Sequence, residues 1–157
     1  MLKNVEQAKA LAATWLRKDE AFAMEVYSDP GDGSLRIGYG SPCPPGMTEC
    51  DWLTAERMLQ ASLEDCAQEV QAMLGPMGTR GMCLERLAVL FCMCYQLGYT
   101  RMCSFQRMID AIFQHDHDLA ADEMLLKKSG EAEWSQWHDE TPERCERMAL
   151  IYRRGRE

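Results

Sequence analysis

Two carboxylates near the N-terminus stand in contrasting local settings. Glu20 closes an amphipathic stretch and runs into Ala21-Phe22-Ala23-Met24, while Asp29 opens a run of turn formers, Asp29-Pro30-Gly31-Asp32-Gly33-Ser34. An acid beside apolar residues, at the negative end of a helix dipole, is favoured in its neutral form, whereas one in a solvated turn stays ionised. A pair divided in this way can give a proton to a departing group and hold or activate a water molecule. Taken alone, a Glu and an Asp at this spacing also read as two surface acids, and the pair by itself does not choose.

The elements that must position them are mostly helical. Val5, Ala8, Ala12, Trp15 and Leu16 recur at helical spacing, which predicts a helix over 4–17 leading directly to Glu20. Residues 22–40 read as a small β excursion, with Leu35-Arg36-Ile37-Gly38-Tyr39-Gly40 as its strand. Ser41-Pro42-Cys43-Pro44-Pro45-Gly46 reads as irregular, because proline lacks an amide donor and fixes φ. Thr54 then caps a helix over 55–74, stopped by Gly75-Pro76. Residues 83–97 are apolar nearly all round, the mark of a central buried helix, and Gly98 ends it. Further helices are expected over 104–113, 118–128 and 142–153, the last with Thr141 as cap and Pro142 at its first position. The expectation is one mainly helical α+β domain over 1–157. A β-containing lobe takes about 18–54, and a helical lobe takes about 55–157 together with the helix over 4–17.

Composition removes several function classes. At 157 residues the chain can bury a core without staples. The net charge of −8 leaves a nucleic-acid binder without its basic face; Tyr152-Arg153-Arg154-Gly155-Arg156 reads as a solvated tail. No apolar run is long enough for membrane insertion, and the first residues mix Lys, Glu and Gln among apolar ones, unlike a signal peptide. The eight cysteines read as reduced thiols in the core, with Cys43 and Cys50 able to pair in an oxidising compartment. His115 and His117 lie among acids in a polar turn, and no metal or other cofactor is expected. The twelve methionines read as adaptable core filler.

Asp19 to Gly40 resembles the active-site region of phage lysozymes, glycoside hydrolase family 24. The family pattern places a Glu at the end of the first helix, then an Asp in a turn, then a Thr-Ile/Val-Gly-Tyr/Ile-Gly-His strand. Glu20, Asp29 and Ile37-Gly38-Tyr39-Gly40 match in order. Phe91 to Gly98, including Gln96, resembles the end of the family's central helix, and Phe105 to Ala121 fits the next helix and turn. Trp137, Thr141-Pro142, Arg144 and Arg147 resemble its C-terminal run. Three positions depart from the pattern: Arg36 replaces the strand Thr, Ser41 replaces the His, and one additional residue falls near Asp32.

The resemblance implies a lysozyme-like fold with a cleft between the lobes. It also implies a muramidase that cuts the β-1,4 bond between N-acetylmuramic acid and N-acetylglucosamine in peptidoglycan. Glu20 would be the acid and Asp29 would position or activate water in an inverting reaction, which places the two carboxyl groups about 6.5–9.5 Å apart. Arg36, Tyr39, Gln96 and Trp137 are the candidate substrate contacts. For Gln96 a simple cleft-wall role is equally open, and Trp137 also reads as core. Arg144 and Arg147 read as anchors of the last helix through carboxylates. Arg36 is a donor only, so it cannot hold water as Thr does. It can pair with Asp29 or Glu20, or turn outward and leave Ser34 or Asp32 to orient water.

The expected setting is a monomer made in a bacterial cytoplasm without a signal peptide and acting on the wall in the periplasm. A holin-type pore, or a tail or secretion machine, would bring it there. The competing readings are a catalytically impaired peptidoglycan-binding or structural module, for which Arg36 speaks, and a chitinase-like activity.

Overall fold

A computed structural model describes residues 2–126 and 134–155. Helix α1 spans Leu2–Asp19 and buries Ala8, Ala12 and Leu16 of the expected stripe together with Ala13, while Val5 and Trp15 are only partly buried. Its small alanines let it lie against α3, Leu84–Leu97, which is buried continuously from Leu87 to Cys94. Helix α3 also meets α2 and the last helix, so the core is organised around it. Gly98 ends α3 with φ +77, as its position predicts.

Strands β1 (Ala23–Ser28), β2 (Leu35–Gly38) and β3 (Ser41–Pro42) form an antiparallel sheet in that order. Tyr27 stands opposite Arg36, and a register irregularity falls between Ala23 and Tyr27. Strand β3 corrects the reading of the proline loop as wholly irregular. Ser41 pairs with Ile37 and Pro42 with Arg36 at the sheet edge, where Pro42 need not donate. Cys43 N then donates to Leu35 O at 2.9 Å. Ile37 is fully buried and pins the sheet to the helices.

Helix α2 spans Trp52–Gly78. Its cap is Asp51, whose side chain accepts from Thr54 N at 2.7 Å, so Thr54 belongs to the first turn rather than to the cap. Gly75 does break the helix, with φ 60 and ψ −175, but one further turn continues to Gly78. The two shortest helices, α4 (Tyr99–Met102) and α7 (Gln136–Glu140), are too brief for a periodic signal. Helices α5 (Gln106–Phe113), α6 (His117–Leu125) and α8 (Pro142–Arg154) follow the expected order.

Asp116 caps α6 by accepting from Leu119 N, so His115 lies in the expected turn between helices, whereas His117 is the first residue of α6. Leu126 is extended, and the expected continuation of α6 through 127 and 128 lies outside the described residues. Pro142 does open α8, but Thr141 does not cap it with its side chain, which is used elsewhere. Nor is the C-terminal run simply a solvated tail. Tyr152 is fully buried and Arg153 pairs with Asp118 and Asp122, while Arg156 lies outside the described residues. All eight cysteines are free thiols, and Cys50, Cys66, Cys92, Cys94 and Cys145 are buried.

Gly38 sets how closely the sheet approaches α2. It has φ +65, and a Cβ there would lie 2.9 Å from Ala55 Cβ. Gly38→Ala therefore combines backbone strain with a clash against a neighbour that cannot swing away. The expected cost is about 1–3 kcal/mol, read as a lower urea midpoint with an unchanged slope.

Candidate active site

Glu20 follows α1 directly, and its amide still donates to Leu16 O at 2.7 Å. Its side chain is 23% exposed. The apolar residues after it do not cover it, since Phe22 and Met24 face outward. Arg144, in the first turns of α8, occupies that place instead. Its Nη1 donates to Glu20 Oε1 at 2.6 Å and its Nη2 to Asp19 O at 2.9 Å. Arg147 donates to both oxygens of Asp19 at 2.6 Å. Two arginines of one helix thus meet two acids and the free carbonyl end of another, where cations are stabilised. They anchor the last helix through carboxylates, as expected, and one of those carboxylates is the candidate acid itself.

The other oxygen of Glu20 is directed toward Gly40. A Cβ at Gly40 would lie 3.2 Å from Glu20 Oε2 and 3.8 Å from Tyr27 Oη, and φ there is +74. Glycine is needed on both counts, and the two Glu20 oxygens have different tasks. Oε1 is held by Arg144, while Oε2 lies on the side of Gly40, which lines the groove. Burial raises the Tyr27 phenol above its ordinary range, with the Glu20 and Asp29 charges adding to the effect.

Asp29 sits in the β1–β2 turn, closed by Asp29 N to Ser34 O and Gly33 N to Asp29 O, each 2.8 Å. Gly31 N donates to Asp29 Oδ1 at 2.8 Å, which fixes the carboxylate to its own loop. Arg36 Nε stands 3.7 Å from Asp29 Oδ2, and its Nη2 stands 3.7 Å from Asp32 Oδ2. These are ion pairs at longer than hydrogen-bond range, and Arg36 Nε is buried without a hydrogen-bond partner. Of the alternatives open for Arg36, the structure takes pairing with Asp29. Asp32 accepts from Ser34 N at 2.8 Å, and hydrogen bonding from Ser34, with the Arg36 charge, holds it below the usual carboxylate range.

Glu20 and Asp29 line one groove of about 600 Å³, together with Tyr27, Arg36, Tyr95 and Arg144. Gln96 also reaches this groove, but both ends of its amide are used. Its Oε1 accepts from Trp137 Nε1 at 2.8 Å and its Nε2 donates to Thr141 Oγ1 at 2.9 Å. Trp137 is fully buried, so its ring offers no face to the groove. Tyr39 is buried behind the wall, with its hydroxyl accepting from Trp52 Nε1 at 3.1 Å. Gln96, Trp137 and Tyr39 brace the groove from within in this structure.

Tyr95 is the counterpart of Gln96 on the other side. Its hydroxyl donates to Tyr39 O at 2.6 Å, so Ser41 Oγ, at 3.2 Å, is left to donate to Tyr95 Oη. Burial pushes the Tyr95 phenol up to about 12. Sequence reasoning did not select Tyr27, Tyr95, Arg101, Gln136 or Glu140, all of which line the groove. Tyr27 had a usable signal, since it lies two residues before Asp29 on a strand. Arg101 and Glu140 had none: they pair at 3.1 Å from separate short helices. A smaller hollow of about 190 Å³ adjoins the groove, with Phe105, Met108 and Glu123 in its wall.

A sequence model of the family described as phage lysozyme matches residues 17–157, a span that includes both carboxylates and both arginines. No curated protein matches the chain.

Gln96 can be assigned by its partners. Gln96→Leu removes the acceptor of a buried indole N–H and is expected to cost about 1–3 kcal/mol of stability. A urea midpoint unchanged from wild type would show instead that the amide is free for substrate.

Proposed function

This chain belongs to the phage lysozyme family, and we propose from that premise that it hydrolyses the β-1,4 bond between N-acetylmuramic acid and N-acetylglucosamine with inversion. Membership of the family makes it a lysozyme-like glycoside hydrolase acting on peptidoglycan. The observation that carries the finer reading is the division of labour at Glu20. Arg144 holds Oε1, while Oε2 is turned toward the groove that Asp29 shares.

In this reading Glu20 delivers a proton from Oε2 to the departing glycosidic oxygen. Asp29, fixed by Gly31 N and accompanied by Arg36, receives a proton from the attacking water on the other face of the sugar. Arg36 does not itself accept that proton. Its charge faces Asp29 and Asp32 and steadies the loop that carries the base. Tyr27, across the sheet from Arg36, offers a hydroxyl near Glu20.

Cell lysis or wall penetration from the periplasmic side is the setting we assign to this activity, with a monomeric enzyme reaching the wall through a partner's pore or by a tail or secretion machine. No described helix is long and apolar enough to cross a membrane. A second reading, a wall-binding module with impaired turnover, is favoured by one observation. Arg36 stands where the strand pattern has Thr, and its Nε is buried without a hydrogen-bond partner.

Turnover separates the two. Wild type is expected to clear purified, outer-membrane-stripped Gram-negative walls, and Glu20→Gln to lower the rate by about 10²–10⁴-fold. The first reducing ends released should be α-configured, read by NMR before mutarotation. β-configured ends would overturn inversion. Wall binding without clearing by wild type would favour the module.

A further inference from the structure

Away from the groove, Cys66 and Glu69 stand one turn apart on α2, and Cys94 faces them from α3. Residues three apart on a helix share a face, so two donors come from one element and the packing of α2 on α3 supplies the third. One ligand atom from each lies within 4.8 Å of the others, and Cys94 Sγ is 3.3 Å from Glu69 Oε2. Both thiols are buried, while Glu69 is half-buried.

We infer that Cys66, Glu69 and Cys94 form a binding site for one thiophilic divalent cation, with zinc as the ion they fit. Two thiolate sulfurs and a carboxylate oxygen are a ligand set that zinc accepts, and a tetrahedral ion keeps a fourth position for water. With zinc–sulfur bonds of about 2.3 Å and zinc–oxygen bonds of about 2.0–2.2 Å, neighbouring donors sit about 3.5–3.8 Å apart. The cluster of donors needs to contract by only about 1 Å at its widest to reach that geometry.

On binding, two metal–sulfur bonds and one metal–oxygen bond form. The Cys66 and Cys94 protons pass to solvent, and the filled site carries a single negative charge. Without the ion, hydrogen bonding with Cys66, then burial and the Glu69 charge, push the Cys94 thiol up. An ion in this place would staple α2 to α3 immediately before Tyr95. A disulfide between Cys66 and Cys94 is the rival use of these sulfurs, and it would leave unexplained the carboxylate turned in among them.

The test uses the full chain, reduced and freed of metal by chelation, titrated with Cd²⁺ alone. A near-ultraviolet sulfur-to-cadmium band is expected to saturate at one ion per chain. It should be lost in Cys66→Ser and Cys94→Ser. It should persist in Cys92→Ser, whose thiol points instead to Ala12 O. Glu69→Gln spares the buried sulfurs and keeps the result readable if a cysteine variant fails to fold. Outer-shell partners alone are worth about 10–100-fold in metal affinity, so losing this ligand should weaken Cd²⁺ at least about tenfold. Zn²⁺ should displace Cd²⁺ and raise the melting temperature of wild type more than that of Glu69→Gln at equal concentration. Absence of the band, its survival in Cys66→Ser, or a chain two hydrogens lighter with Cys66 joined to Cys94 would each overturn the proposal.

Discussion

The groove depends on the meeting of α1's last residues with α8's first turns. A helix ends in carbonyls that have no partner of their own, and here that end also carries Asp19 and Glu20. Alone it would concentrate negative charge at one point. Arg144 and Arg147 answer it with three short hydrogen bonds to carboxylate and one to the Asp19 carbonyl. A planar guanidinium holds its donors in a fixed fork, so the contact also sets direction. Glu20 is thereby placed with one oxygen engaged and the other turned toward Gly40.

The floor of the groove is set by two neighbours on α3. Successive residues on a helix point about 100° apart, so Tyr95 and Gln96 reach different walls from one turn. Tyr95 bonds the sheet through Tyr39 O, and Gln96 bonds the C-terminal segment through Trp137 and Thr141. This is why the central helix is buried so completely up to Cys94 and then carries polar groups. Its last turn is a strut between walls made by distant parts of the chain.

Much of this was legible in the residues, for identifiable reasons. The stripe ending at Leu16 and the apolar run from Leu87 to Cys94 are long enough to display their period, so α1 and α3 appear within a few residues of their bounds. What failed was local competition. Asp51 captured the cap that Thr54 seemed to offer, and Thr141 spent its hydroxyl on Gln96 and Trp137 rather than on α8. Pro42 entered a strand because an edge asks no amide of it. At the site, residue type gave the acids and arginines but not their pairing. Arg36 and Arg144 were both available to Glu20, and only the approach of α8 decides for Arg144. The Cys66, Glu69 and Cys94 cluster was invisible for the same reason, since its third member comes from a different helix.

The separation between Glu20 and Arg144 has a bearing on synthesis. These partners stand 124 positions apart, and the arginine follows the acid in the chain. During translation the N-terminal helix and sheet emerge long before the helix that orients the acid. A chain that has emerged only as far as the sheet therefore carries both carboxylates but not their arrangement, which waits for α8 to emerge and dock.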